Sequence, residues 1–375
     1  MLQGSYFDAS LLALARWPSG TLPVLSIVQD TCDPGIGQKQ AFAQPIVFFR
    51  LDPCLSLLLH SPGMVPSLKW LRLRIPARPI ARPLCGMMPS ATSPYPSGLT
   101  PSPDLEFLDI STCNILDNEL DMILTHFPSL KHLILDGCPL FRGEGDWNDL
   151  GKRCALAGVR RAKQTEKTLK TWIEASQASA NFDAPNQERR AKRGRKGLAT
   201  ATISLRESRP VTSTSNSPTT SQLLISQNSL HQVARIRILP SSPTLETLSI
   251  TVTPWINPAK LSMVRAEFEA GWAEGVALLA VSRARLRSSA KNGYRVMRFP
   301  SGFRFETLQD ERLEEDCLAG LQDIDPTDGS VFGPSSQDNA QLSPPVLCFA
   351  GPGKGPNHQA HCGHSVGWEV MKDEL

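Results

Sequence analysis

Leu105-Glu106-Phe107-Leu108-Asp109-Ile110-Ser111-Thr112-Cys113-Asn114-Ile115 is followed, 25 residues on, by Leu130-Lys131-His132-Leu133-Ile134-Leu135-Asp136-Gly137-Cys138-Pro139-Leu140. Both stretches read L-x-x-L-x-L-x-x-C-x-L, with Ile110 and Ile115 standing for leucine. Apolar residues at the first, fourth and sixth positions mark a short strand with one face turned inward. Each cysteine falls where the chain leaves that strand, where a small thiol fills the corner and still donates weakly. Between the two copies, Leu120, Ile123, Leu124 and Phe127 recur at spacings of three and four, which predicts an amphipathic helix. Pro128 follows where that helix must stop.

A strand, a return helix and a second strand at a fixed period form the unit of the leucine-rich repeat. Two further strands fit the template. One is Leu68, Leu71 and Leu73 after Pro66-Ser67, and the other is Leu245, Leu248 and Ile250 after Pro243-Thr244. A possible fifth, Val233 to Leu239, alternates but lacks the leucines. The expected fold class is α/β: an irregular leucine-rich-repeat solenoid with a Pro-rich insertion at 76–103, a long capping helix at 258–291, and a disordered linker and tail. Such repeats build concave strand surfaces that hold other proteins. The expected partner-binding residues on that surface are Glu106, Asp109, Lys131, His132, Ile134 and Asp136.

The stretch His60-Ser61-Pro62 through Leu68-Lys69-Trp70-Leu71-Arg72-Leu73-Arg74-Ile75-Pro76, followed by the cysteine repeats, resembles the repeat region of divergent fungal F-box/leucine-rich-repeat proteins. The resemblance implies substrate selection for a cullin–RING ubiquitin ligase, whose subunits are then candidate partners. Residues 1–60 have no evident F-box and no clear fold. Leu22-Pro23 resembles an F-box opening, but Asp30–Gly37 is turn-like.

The rest of the chain organises around the repeats. The repeat region is expected over 61–175, with a basic-faced helix at 146–176. A linker rich in Ser, Thr, Ala and Asn follows over 176–230. It holds six basic residues, Arg189, Arg190, Lys192, Arg193, Arg195 and Lys196, and a Ser/Thr tract from Thr212 to Ser221. The cluster reads as a solvated linker or a nuclear localisation signal ahead of a phosphate-binding arm, because no aromatic interleaves it. Residues 231–322 carry the last repeat strands, the long helix and a hairpin around Pro300-Ser301-Gly302. In that helix Leu261, Val264, Phe268, Trp272, Val276 and Leu279 form one stripe, and Asn292-Gly293 ends it. Residues 323–375 read as a disordered tail.

Composition limits the functional classes. The net charge of +3 is too small to argue for nucleic acid. Nine scattered cysteines are an odd number and favour free thiols in a cytoplasmic or nuclear setting. No apolar run is long enough to cross a bilayer, and Leu11–Ala15 is too short for a signal peptide. Against this, Lys372-Asp373-Glu374-Leu375 is the address of a lumenal endoplasmic-reticulum resident, which is the alternative reading. Cys348, His358, His361, Cys362 and His364 are zinc-ligating types, but H-x-x-H-C-x-H is crowded and lacks a second pair at finger distance. The expectation is no metal, no cofactor and no catalytic residue. Gly351 to Pro356 is not a phosphate loop, because Lys354 lacks a following Ser or Thr.

Overall fold

Six leucines, one from each of six strands, lie side by side across a single parallel sheet. Leu25 pairs in register with Leu71, Leu71 with Leu108, Leu108 with Leu133, Leu133 with Leu248 and Leu248 with Leu347. All six are buried. The computed structural model describes residues 5–18, 22–28, 51–86, 102–140, 146–183, 236–251, 260–299, 321–324, 342–353 and 355–371. In chain order these form α1 (Ser5–Leu14), β1 (Val24–Val28), α2 (Leu51–Leu59), β2 (Trp70–Arg74), α3 (Ala81–Leu84), β3 (Phe107–Asp109), α4 (Asp117–His126), β4 (His132–Ile134), α5 (Trp147–Ala155) and α6 (Ala157–Asp183). There follow β5 (Ile236–Ile238), β6 (Thr247–Ser249), α7 (Leu261–Lys291), β7 (Arg295–Arg298), β8 (Gln322–Asp323), β9 (Val346–Cys348) and α8 (Gly363–Met371).

The large sheet has the order β1-β2-β3-β4-β6-β9, so the strands sit in the order in which the chain makes them. Parallel neighbours need a crossover between them, and helices supply it. The leucine side of the sheet packs on residues of α2, α4, α5 and α7 in one apolar core, which includes Leu55, Leu120, Leu150, Phe268 and Trp272. Helix α4 opens where the Glu119 carboxylate accepts the Leu116 amide hydrogen at 2.9 Å, and it closes at Phe127 ahead of Pro128. The repeat cysteines take the predicted corners. The Cys113 thiol donates to the Leu73 carbonyl at 3.2 Å, and Cys138 donates to the Ile110 carbonyl at 3.3 Å. Each thiol thus closes the exit of the preceding strand.

Several expectations are corrected. Strand β5 does not join the large sheet. It lies in a small second sheet, parallel to β7, with β8 antiparallel on the other side of β7. Glu166 helps hold it there, taking the Ile238 amide and the Arg237 guanidinium, both at 2.9 Å. Strand β7 pairs with residues 236–238 and 322–323; residues 300–302, around which the hairpin is expected, lie outside the described residues.

The long helix, expected at 258–291, is described as α7 from Leu261 and ends as predicted, with Gly293 at φ +81°. It buries Val264, Phe268, Trp272 and Leu279. It is not a terminal cap, because β9 follows it and pairs with β6, which makes α7 part of a crossover. The tail expected to lack structure supplies both β9 and α8. The helix expected over 146–176 is two helices, α5 and α6, and α6 runs on to Asp183.

The chain divides into two compact units, residues 1–168 with 236–375, and residues 169–235. Of the second, residues 169–183 are described, as the later part of α6. Residues 87–101 of the Pro-rich insertion lie outside the described residues. No helix among the described residues is long and apolar enough to cross a membrane.

Candidate functional site

The sheet face opposite the leucines is built from the residues between them. One row runs Trp70, Phe107, His132, Thr247 and Val346, and the next runs Arg72, Asp109, Ile134, Ser249 and Cys348. Trp70 stacks on Phe107 at 5.0 Å, and His132 Nδ1 lies 3.0 Å from Thr247 Oγ1. Asp109 is fully buried. Its Oδ2 accepts from Arg72 Nε at 3.2 Å and Arg74 Nη2 at 2.6 Å, and its Oδ1 accepts from the Ser111 amide and hydroxyl. At the strand entrances Lys69, Glu106 and Lys131 form a chain of opposite charges, Lys131 to Glu106 at 2.9 Å and Lys69 to Glu106 at 3.9 Å. Cross-strand pairs of this kind stabilise a sheet and leave little charge unmatched.

The expected partner surface is therefore largely engaged within the chain. Glu106 and Lys131 pair with each other. Asp109, His132, Ile134 and Asp136 are buried, which corrects their reading as open contact residues. Helix α8 is what covers the middle of this face. Gly363 and Gly367, one turn apart, lie against it. A Cβ on Gly363 would stand 3.0 Å from Thr247 Oγ1 and 3.2 Å from Ile134 Cγ1. A Cβ on Gly367 would stand 3.0 Å from Phe107 Cζ and 3.6 Å from Arg72 Nη2. Bare backbone lets the helix sit directly on the strands, running back from β6 and β4 towards β3 and β2. Beyond it, Ser26 and Val28 of β1 remain exposed.

A compact group of donors lies where α8 begins. Cys348 ends β9, His358 lies in the following loop, Cys362 immediately precedes α8, and His364 is in its first turn. One ligand atom from each lies within 4.8 Å of the others. The Cys348 Sγ to His358 Nδ1 distance is 3.7 Å, Cys362 Sγ to His358 Nδ1 is 3.5 Å, and Cys362 Sγ to His364 Nδ1 is 3.9 Å. The far nitrogen of each ring is committed elsewhere. His358 Nε2 donates to the Gly353 carbonyl at 2.6 Å, and His364 Nε2 donates to Asp136 Oδ2 at 2.5 Å. The other Asp136 oxygen accepts from Thr251 Oγ1 at 2.8 Å. Trp368, one turn along α8, has its ring 4.7 Å from His358 and 6.3 Å from His364.

This arrangement has three chemical possibilities: metal ligation by two sulfurs and two imidazoles, a Cys–His–Asp nucleophilic set (Cys348, His364, Asp136), or a disulfide. Burial pushes the Cys348 thiol up, but His364 and the backbone amides of Ala350 and Gln359 together outweigh this and bring it down to about 7. Burial pushes the His364 imidazole down, but Asp136 and Cys348 raise it to about 10. Both shifts favour a thiolate beside an imidazolium when no metal is bound. Nucleophilic use is opposed by access. Cys348 and Cys362 are 0 % exposed and His364 is 2 % exposed.

Of the five tail residues with ligating side chains, the fold gathers four. His361 is exposed at a turn with φ +57°. Judging them by finger spacing missed the group, because Cys348 arrives on a strand and not in a short loop. The basic residues at 189–196, the Ser/Thr tract and Lys372–Leu375 lie outside the described residues. No known protein family matches the chain, and no curated protein or solved structure does.

Proposed function

We propose that this chain is a non-enzymatic binding protein of leucine-rich-repeat type, whose strand face receives a helix or strand of a protein partner. The observation that carries the reading is the ladder Leu25, Leu71, Leu108, Leu133, Leu248 and Leu347 on successive parallel strands. Stacked repeats build such a ladder, each unit turning one leucine into the shared core. The cysteine corners at Cys113 and Cys138 support it. So does the face itself, which already accommodates a helix in α8, the same geometry by which grooves take amphipathic helices. A partner contacts the open β1 end at Ser26 and Val28, and reaches the central rows when α8 lifts. The resemblance of residues 60–76 and the cysteine repeats to the repeat region of F-box/leucine-rich-repeat proteins supports substrate selection for ubiquitin ligation as the setting we propose.

The test is affinity purification with mass spectrometry from native cells, with the tag inside residues 205–225. The wild-type chain is compared with Gly363→Leu/Gly367→Leu, in which α8 cannot seat. The reading predicts a discrete partner enriched several-fold by the double variant, and recovery of cullin–RING subunits would support the ligase setting. Identical background proteins from both chains would sink it.

A further inference from the structure

We propose that Cys348, His358, Cys362 and His364 bind one zinc ion, which staples the C-terminal segment across the strand face. Zinc–sulfur bonds of about 2.3 Å and zinc–nitrogen bonds of about 2.0–2.1 Å, at tetrahedral angles, put sulfur and nitrogen about 3.6 Å apart. The three sulfur–nitrogen separations given above, 3.5, 3.7 and 3.9 Å, fit that edge length. Two thiolates with two imidazoles select zinc over the hard oxygen-seeking cations.

The tautomers make the stronger argument. A carbonyl oxygen only accepts, so His358 carries its proton on Nε2 and turns the Nδ1 lone pair towards the sulfurs. The Asp136 carboxylate holds the Nε2 proton of His364, so the proton that zinc displaces from that ring is the one on Nδ1. Ligating histidines typically donate their far N–H to a carbonyl or carboxylate in this way, which orients the ring and strengthens the ligand. Here both rings are oriented and both Nδ1 atoms converge on the sulfurs.

The charges also close. Binding releases two protons to solvent, one from Cys362 and one held by the Cys348–His364 pair, and the two thiolates then cancel the charge of Zn²⁺. A neutral centre is what a buried position tolerates. Four protein ligands complete the tetrahedron and leave no place for water, so the site is structural and not hydrolytic. Its position gives it a consequence. Cys348 belongs to the sheet while Cys362 and His364 belong to the start of α8, so the ion ties the helix to the edge strand beside its seat.

The experiment uses the full chain without a histidine tag, purified under reducing conditions. Elemental analysis is expected to find one zinc per chain. Replacement by cobalt(II) should give the intense visible bands of a tetrahedral site and a thiolate charge-transfer band, saturating at one equivalent. Cys362→Ser and His358→Ala should abolish those spectra. The His358 variant, at a half-exposed loop residue, keeps the test valid if the Cys362 variant fails to fold. Asp136→Asn should weaken affinity about ten- to a hundredfold, and Cys154→Ala, away from the site, should leave it unchanged. Chelation should accelerate amide exchange at 363–371 but not at 117–126. A folded chain with neither zinc nor cobalt absorption would overturn the proposal. So would a Cys348–Cys362 disulfide in the metal-free native protein, or cobalt spectra that survive both ligand substitutions.

Discussion

Gly271→Ala probes the joint between α5 and α7. The added Cβ would lie 1.8 Å from the Asn148 carbonyl oxygen and 2.6 Å from its carbon, both backbone atoms that no rotamer change can move. The approach is reciprocal. A Cβ on Gly151 would lie 2.1 Å from the Phe268 carbonyl oxygen. An ordinary carbon–oxygen contact is about 3.3 Å, so the two helices must separate by more than an ångström. That separation loosens Phe268, Trp272 and Leu150, each at most 1 % exposed, and a gap of that size forfeits a quarter to a half of each contact's attraction. Overpacking of this kind costs about 1–3 kcal/mol, with this clash at the upper end. Replacing a mid-helix glycine by alanine returns about 1 kcal/mol through backbone entropy. The net expectation is a loss of about 2 kcal/mol in urea denaturation followed by circular dichroism. Combining Gly271→Ala with Gly151→Ala should cost less than the sum, since one helix shift relieves both clashes. A Gly271→Ala chain as stable as the wild type would refute the close packing.

Two further perturbations test the face and the helix side of the sheet. Asp109→Ala removes the buried carboxylate shared by Arg74 and by Arg72, whose side chain is 5 % exposed, and breaking a buried pair costs about 3–5 kcal/mol. A loss under about 1 kcal/mol by denaturant melt would contradict the network. Burial, reinforced by His60 and Arg161, lowers the His126 pKa from 6.5 to about 3. The unfolded chain then takes up a proton near pH 6.5 that the native ring refuses until about pH 3. Stability is therefore lost as pH falls through that window, by up to about 2 kcal/mol at pH 5 from this group. His126→Gln should flatten the slope between pH 6.5 and 4, and an unchanged slope would count against the buried neutral ring.

Residues 103–141 were legible because the leucine, cysteine and proline positions there carry local physics: an inward strand face, a corner and a helix stop. Strand β1 carries the same template in Leu22, Leu25 and Ile27, but Leu22-Pro23 drew the reading towards a helical motif. Strand β9 was hidden because Pro344 stands at the first leucine position, leaving only Leu347 and Phe349. The strands at Phe107–Asp109, His132–Ile134 and Thr247–Ser249 are three residues long, too short for alternation to declare them, and only the leucine template marked them. The covering of the strand face is tertiary information, and its one local trace is the spacing of Gly363 and Gly367, which lets a helix lie close. The donor cluster escaped the sequence because three ligands come from one crowded stretch and the fourth from a strand ten residues earlier. Spacing rules drawn from compact fingers do not cover that arrangement.

The most direct measurement of whether the chain's own C-terminal helix occupies the strand face is site-specific photo-crosslinking. A benzophenone amino acid replaces Val370, about one turn beyond Gly367 on the same helix face, in the full-length chain. Mass-spectrometric mapping is expected to place the adducts within residues 24–28, 70–74 or 107–109. Adducts confined to the helical side of the sheet, or to other proteins alone, would contradict it.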